Sequence, residues 1–390
     1  MRVQQISAVI LFGMLSSSAW AVVGQGYDFK NKFIVVFDNN VSDKQWKEVE
    51  SFVVQNNGQV KRQYRHALKG LAITLPPQAK ASLQRFSSIK YIENDRLVMA
   101  LPRGGKPNKG GDDNSTPPTP QEVPWGITRI GGPSEESSFP TAWVIDSGID
   151  SRHADLNVDR SRGVNFARGK NTTEDGNGHG THVAGTIAAI DNDIDVVGVA
   201  PGAAVVPVRV LDNSGSGSMS GVVAGVDYVA ANASAGDCAN MSLGGSGYSR
   251  ALDEALIAAV NATGIVFAVA AGNSGADIIG YTPAVTQYPG VYTISAFAEG
   301  DTVASFSNYS NNNVYTRSDG ANVATEMEYA MPGVNVLSTQ SGGGVVAYNG
   351  TSMAAPHFCG LVLAVGVDGI NASDVIVDSR DAFDDPVATK

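Results

Sequence analysis

Ala142-Trp143-Val144-Ile145-Asp146-Ser147-Gly148-Ile149-Asp150 is a run of four apolar residues, then a carboxylate, then a glycine turn. A short run without polar alternation reads as a strand buried on both faces. Runs of the same kind recur at Val205 to Leu211, Cys238 to Leu243, Ile265 to Val269 and Val291 to Ala296. Helix-length patterns fall among them at His182 to Ala189, Gly221 to Ala231 and Leu252 to Val260. Such alternation predicts an α/β domain, a parallel sheet sandwiched by helices. In these sheets chemistry collects at the carboxyl ends of the strands, where Asp146 stands.

Upstream the pattern changes. Phe33 to Phe37, Gln59 to Tyr64, Leu71 to Leu75 and Tyr91 to Met99 read as strands. A helix opened by Ser42 or Asp43, with Trp46, Val49, Phe52 and Val53 on one face, and another over Gln78 to Phe86 complete a β-α-β-β-α-β order. This is a small α+β, ferredoxin-like domain. Residues 102–120 are rich in Pro, Gly, Lys, Asp and Ser and cannot bury surface, so they read as a flexible linker. Residues 1–21 carry Arg2, an apolar run from Ile6 to Leu15 and Ala19-Trp20-Ala21, the pattern of a secretory signal peptide. The apolar run is short for a membrane span, and none longer follows. The mature protein is expected to be secreted and extracellular, without membrane attachment, and to act as a monomer.

The 390 residues divide by charge as well. Val22 to Ala100 holds 12 basic against 7 acidic residues, a net of +5, and from Gln121 onward 11 stand against 29, a net of −18. The halves attract each other. An acidic main domain argues against nucleic acid as partner and suits cations. Cys238 and Cys359 are the two cysteines. A single bridge and two inert buried thiols fit them equally.

Three polar clusters carry chemistry: Asp146 after its strand, His179 in Asn177-Gly178-His179-Gly180-Thr181-His182 at a helix start, and Ser352 in Gly350-Thr351-Ser352-Met353-Ala354-Ala355-Pro356-His357. A hydroxyl before an apolar run is ordinarily a helix cap. A carboxylate and an imidazole elsewhere in the chain instead make Ser352 a candidate nucleophile, since serine needs a base to take its proton and a carboxylate to orient that base. His182 is read as structural, and His66, His153 and His357 as surface or packing residues. No His-Glu-x-x-His or Cys-x-x-Cys spacing suggests zinc.

With these residues the chain resembles the subtilisin-type serine endopeptidases, the subtilases, over about Asn31 to Val365. Trp125-Gly126 and Tyr91-Ile92-Glu93 are similar to proteinase K-like members. The resemblance implies a triad of Asp146, His179 and Ser352, with Asn273 of Ala271-Gly272-Asn273-Ser274 as oxyanion donor. It implies polypeptide substrates held between Ser242-Leu243-Gly244-Gly245 and Gly215-Ser216-Gly217. Met219 would border a distant subsite or sit in the core, and Thr282 to Tyr288 would floor the first pocket. Residues 22–101 become a propeptide, a folding aid and intramolecular inhibitor. Leu97 to Leu101 would then lie in the cleft, with Met99, Ala100 or Leu101 preceding the first cut. Residues 121–390 become the catalytic domain. The family's structural calcium would fall on the carbonyls of Ile190, Ile194 and Val196 with Asn192, Asp155 and Gln121, all oxygen ligands. The tail from Asp368 to Lys390 shows no amphipathic helix. Of the rivals, an α/β-hydrolase esterase lacks its Gly-x-Ser-x-Gly elbow, Ala354 standing at the second glycine. An inert peptide- or calcium-binding relative is the other.

Overall fold

The computed structural model describes residues 26–101 and 118–390. The expected signal peptide lies outside them, as does most of the expected linker. In the small domain β1 (Lys32–Phe37), β2 (Gln59–Tyr64), β3 (Gly70–Thr74) and β4 (Ile89–Asn94) form one antiparallel sheet in the order β2-β3-β1-β4. Helix α1 (Asp43–Gln55) starts on Ser42, whose hydroxyl and Gln45 make a reciprocal capping box. It buries Trp46, Val49 and Val53. Helix α2 (Pro77–Leu83) is shorter than its apolar pattern, stopping before Phe86.

One expected strand is two. The run Tyr91 to Met99 breaks at Asp95-Arg96, and its second half, β5 (Leu97–Ala100), leaves the small domain for a different sheet. The cause is local. The Asp95 carboxylate accepts from the Ser220 N–H at 2.9 Å and hydroxyl at 2.7 Å, so the chain is pinned there and redirected.

The main domain opens with a short helix, α3 (Trp125–Arg129), and is built on β6 (Ala142–Asp146). Alternate residues of β6 serve opposite cores, Ala142 and Val144 with one set of helices, Trp143 and Ile145 with the other. All five residues are buried, which is why the strand reads as unbroken apolar sequence. Next come β7 (Val164–Asn165), α4 (His179–Ala188), β8 (Val205–Arg209), β9 (Ser216–Ser218), α5 (Met219–Asn232) and β10 (Cys238–Met241). After β11 (Leu243–Ser246), α6 (Arg250–Thr263), β12 (Val266–Ala270), β13 (Tyr281–Thr282) and β14 (Val291–Ala298), the short strands β15 (Thr302–Val303), β16 (Val314–Thr316) and β17 (Asn322–Ala324) lead to β18 (Tyr329–Pro332). Beyond it lie β19 (Val336–Thr339), β20 (Val345–Tyr348), α7 (Thr351–Val365), β21 (Asn371–Ile376) and β22 (Asp385–Thr389). The sheet runs β21-β22-β18-β14-β12-β10-β6-β8-β7, parallel throughout apart from β21 and a short strand on β14. The chain leaves β6 toward β8 and returns to β10 on its other side. That reversal is the crevice where such sheets bind ligands.

The tail after Asp368 is a β-hairpin that lengthens the sheet, β22 pairing with β18. Cys238 of β10 and Cys359 of α7 form a disulfide. Met219 is wholly buried in the core, which decides its reading. Among the described residues no helix is long and apolar enough to cross a membrane.

Candidate active site

The base of the site is a carboxylate and an imidazole. Asp146 ends β6, His179 opens α4, and His179 Nδ1 lies 2.8 and 2.9 Å from the two Asp146 oxygens. The ionised carboxylate only accepts, so Nδ1 carries the proton and Nε2 is left as an acceptor. Nε2 is buried and has no hydrogen-bond partner among the described residues. Burial by itself lowers the His179 pKa. The Asp146 charge and hydrogen bond, with Asp175 behind them, outweigh it and raise the pKa above the ordinary imidazole value.

Ser352 occupies the first turn of α7, and α4 and α7 pack together through Val183, Ala184 and Ile187 against Met353, Ala354 and Ala355. The Ser352 hydroxyl donates to the Ser242 carbonyl at 3.1 Å instead of to His179. Of the three predicted groups, then, the structure joins two by hydrogen bonds and gives the third another acceptor. Asn273 follows β12, and its amide donates to the Leu101 carbonyl oxygen. Its own oxygen is fixed by the Thr351 N–H and hydroxyl, both at 2.9 Å. Gly350 is required here, because a Cβ on it would lie 2.9 Å from the Leu101 oxygen and 3.0 Å from the Asn273 amide nitrogen.

The two predicted substrate segments flank β5. Leu243 pairs with Ala100 and Gly244 with Met99 on one side. Ser216 pairs with Met99 and Gly217 with Val98 on the other, and Ala100 N–H donates to the Gly215 carbonyl at 2.9 Å. Gly245 lies against the backbone of Leu97, where a Cβ would come within 2.8 Å of its oxygen. Beyond this strand Leu101 lines a small pocket together with Gly244, Gly245, Ala270, Gly272, Asn273 and Thr282. Ser242 itself is buried behind the cleft, its hydroxyl taking a bond from the Asn240 amide and donating to the Ser352 carbonyl at 2.8 Å.

The loop after α4 gathers the predicted cation ligands. Asp155 accepts from the Asn192 amide at 2.9 Å and the Val196 N–H at 3.3 Å, Gln121 reaches the Ile190 carbonyl at 3.1 Å, and Asn192 accepts from the Ile194 N–H at 2.8 Å. Asp155 is fully buried, burial pushes its carboxyl up to about 7, and it has no cationic partner among the described residues. These groups bear oxygens of the kind a hard divalent ion takes, but here Asp155 faces N–H donors, and the Ile190 and Asn192 oxygens accept from the Gln121 amide and the Ile194 N–H. Groups of three or more His, Cys, Asp or Glu placed to hold a metal ion are absent among the described residues.

The other histidines are structural or superficial. His182 Nε2 bonds the Val336 and Val346 carbonyls while its ring stacks on Tyr348, and burial pushes its pKa down to about 3. His153 and His357 are buried against the carbonyls of Gly344 and Met353, and His66 is exposed. Sequence reading missed Asp175. One of its oxygens accepts from Ser147 Oγ and the N–H groups of Asn177 and Gly178, the other from Thr181, so it caps α4 and sets His179 in place. An Asp four residues before the histidine in a Gly-Asn-Gly turn was the available signal.

The profile of the peptidase S8 subtilase family matches residues 143–366. Subtilisin NAT of Bacillus subtilis subsp. natto is 36% identical over 361 residues, 90% of this chain and 84% of that one. A cold adapted subtilisin-like serine proteinase of known structure superposes with a TM-score of 0.53 at 33% identity, over 67% of this chain and 96% of its own. Fervidolysin of Fervidobacterium pennivorans gives 0.65 at 28%, over 86% and 54%.

Proposed function

The chain belongs to the subtilase family of serine endopeptidases, and from that premise we propose that Asp146, His179, Ser352 and Asn273 hydrolyse polypeptides in an enzyme exported as its own inhibited precursor. What carries the reading is the Asp146–His179 pair with its open Nε2, together with a carbonyl held by Asn273. The reading requires the Ser352 hydroxyl to leave the Ser242 carbonyl, 3.1 Å away, and turn to the imidazole. As Oγ bonds to the substrate carbonyl carbon, its proton passes to Nε2. The oxygen that gains the charge takes hydrogen bonds from the Asn273 amide and the Ser352 N–H. The imidazolium then protonates the leaving nitrogen as the C–N bond breaks, and water repeats the sequence to free the acid and restore Ser352. Asp146 stays ionised throughout and holds the imidazole's tautomer.

Strand β5 supports the precursor reading, since Leu97 to Leu101 occupy the position of a bound peptide with the Leu101 carbonyl at the oxyanion donor. Leu101 is therefore the residue before the first cut, and the pocket around it takes apolar side chains. Residues 22–101 act as inhibitor and folding aid, 102–120 as the linker, 121–390 as the catalytic domain, and 1–21 as the export signal. Gln121, Asp155, Asn192 and the carbonyls of Ile190, Ile194 and Val196 hold a structural calcium, which would neutralise Asp155 and tie the start of the catalytic domain to the loop. Calorimetric melting in a chelator is expected to show a lowered transition.

A fluorophosphonate probe tests the nucleophile. Mature wild type is expected to be labelled and Ser352→Ala not. An unlabelled, folded mature protein would instead mark an inert binding relative.

A further inference from the structure

Before β1 the chain makes a contact that neither the cleft nor the small sheet requires. The Tyr27 hydroxyl lies 2.9 Å from the Ser216 carbonyl oxygen and 3.2 Å from an Asp212 carboxylate oxygen. The Arg168 guanidinium sits over the Tyr27 ring, 4.0 Å from its centre, pairs with the same Asp212 oxygen at 3.5 Å and donates to the Gly26 carbonyl. Phe29 stacks on Tyr27, with centres 5.6 Å apart, and Lys32 lies over Phe29. Two stacked rings thus run from a cation of the main domain to one of the small domain. The other Asp212 oxygen binds Ser214 and the Ser216 N–H, closing the turn that offers the Gly215 carbonyl to Ala100. Tyr27 thus sits on the outer side of the turn whose inner side flanks β5. Nearby, Arg62 donates to the Phe166 carbonyl, so the stretch leading to Arg168 is held by the leader twice. Burial first, then the Asp212 charge, raises the Tyr27 pKa, so the phenol keeps the proton it donates.

We infer that Arg168, Asp212 and the Ser216 carbonyl form a tyrosyl-binding site outside the substrate cleft, whose ligand is Tyr27 of the chain's own leader and whose effect is to delay leader release after the backbone is cut. The site selects a phenol twice over, by a guanidinium for the ring face and by two acceptors for the hydroxyl. This rests on the reading of residues 22–101 as inhibitor.

The test uses the full chain as wild type, Tyr27→Phe, Tyr27→Ala and Arg168→Met. Backbone cleavage is followed by mass spectrometry and enzyme release by hydrolysis of a small peptide substrate. Wild type is expected to show cleavage followed by a lag before activity. Tyr27→Phe, which removes only the hydroxyl, should shorten that lag about tenfold. Tyr27→Ala should shorten it further, and Arg168→Met, which removes the cation over the same ring, should shorten it to a similar extent. Final kcat/KM should be the same in all four. Equal lags in all four would overturn the site and leave the inhibitor reading standing. Wild type without any lag would overturn the inhibitor reading, and this inference with it.

Discussion

At His179 burial and charge pull in opposite directions, and charge prevails. Burial disfavours the imidazolium, while Asp146 and then Asp175 favour it, raising the pKa above 6.5. Catalysis needs the neutral imidazole, so kcat/KM should climb with pH through a midpoint on the alkaline side of an ordinary histidine. Asp175→Asn removes one of the raising charges. A pH profile of that variant is expected to show the acid limb moved down, together with a lower kcat from the loosened cap. Thr351 is the second residue to test. Its hydroxyl accepts from Gly272 N–H and donates to the Asn273 oxygen, which aims the amide at the cleft. Thr351→Val should cost about tenfold in kcat with KM little changed, and stopped assays over a substrate range would read the split. Asn273→Leu should cost more, roughly 10² to 10³, as loss of the corresponding donor does in a subtilisin.

Among the elements, α7 and β10 are joined twice, by the Asn240–Ser242–Ser352 bonds and by the Cys238–Cys359 bridge. The bridge spans 121 residues, and closing a loop of that length removes unfolded-state freedom worth about 5 kcal/mol. Cys238→Ala with Cys359→Ala should lower unfolding free energy by up to that amount in denaturant titrations, with kcat near wild type while folded. The added hairpin holds a different lever. Asp385, at the start of β22, accepts from Ser295, and burial pushes its carboxyl up to about 8. A carboxyl raised on folding stabilises fully below its unfolded pKa, near 4, and loses that contribution as pH rises through about 8. Asp385→Asn should therefore gain about 1–3 kcal/mol over wild type at pH 9 and little at pH 4, measured by urea unfolding. Which of these elements sequence reading could see follows from periodicity. Core strands buried on both faces and the amphipathic α1 were plain, because a single residue's surroundings repeat along them. The break between β4 and β5 was not. Asn94-Asp95 is a turn signal within Tyr91 to Met99, but what sends the second half to another sheet is Ser220, distant in sequence. The tail hairpin was hidden for a similar reason, since the partner of β22 is β18.

Taken whole, the molecule is a basic piece seated on an acidic one, and the seat is largely helix ends. Glu93 accepts from Ser249 Oγ and Ala251 N–H, and Asp95 from Ser220, so two leader carboxylates sit at the starts of α6 and α5. Asp227 of α5 reciprocates, taking the N–H groups of Arg65, His66 and Ala67. The apolar core is continuous beneath, Ile34, Val36 and Tyr64 packing with Val222 and Val223. Net charges of +5 and −18 over residues 22–100 and 121–390 add a long-range pull that salt screens. Release of the cut leader should thus quicken a few-fold between low salt and 0.5 M, followed as the lag before activity. Asp146, His179, Ser352, Asn273 and the two strands beside β5 could be picked out as motifs because each lies in a short contiguous block. Asp175, Thr351 and the Tyr27 cradle could not, since their work is defined by partners that only folding brings near.

The bridge has one more implication. Both of its cysteines lie after the linker. On the precursor reading, severing the peptide between the two pieces would leave no covalent tie, and the stopper could drift off in any redox surroundings. Arming would then be irreversible: a molecule that had lost its stopper and unravelled would have to find its way back without the template on which it was first shaped.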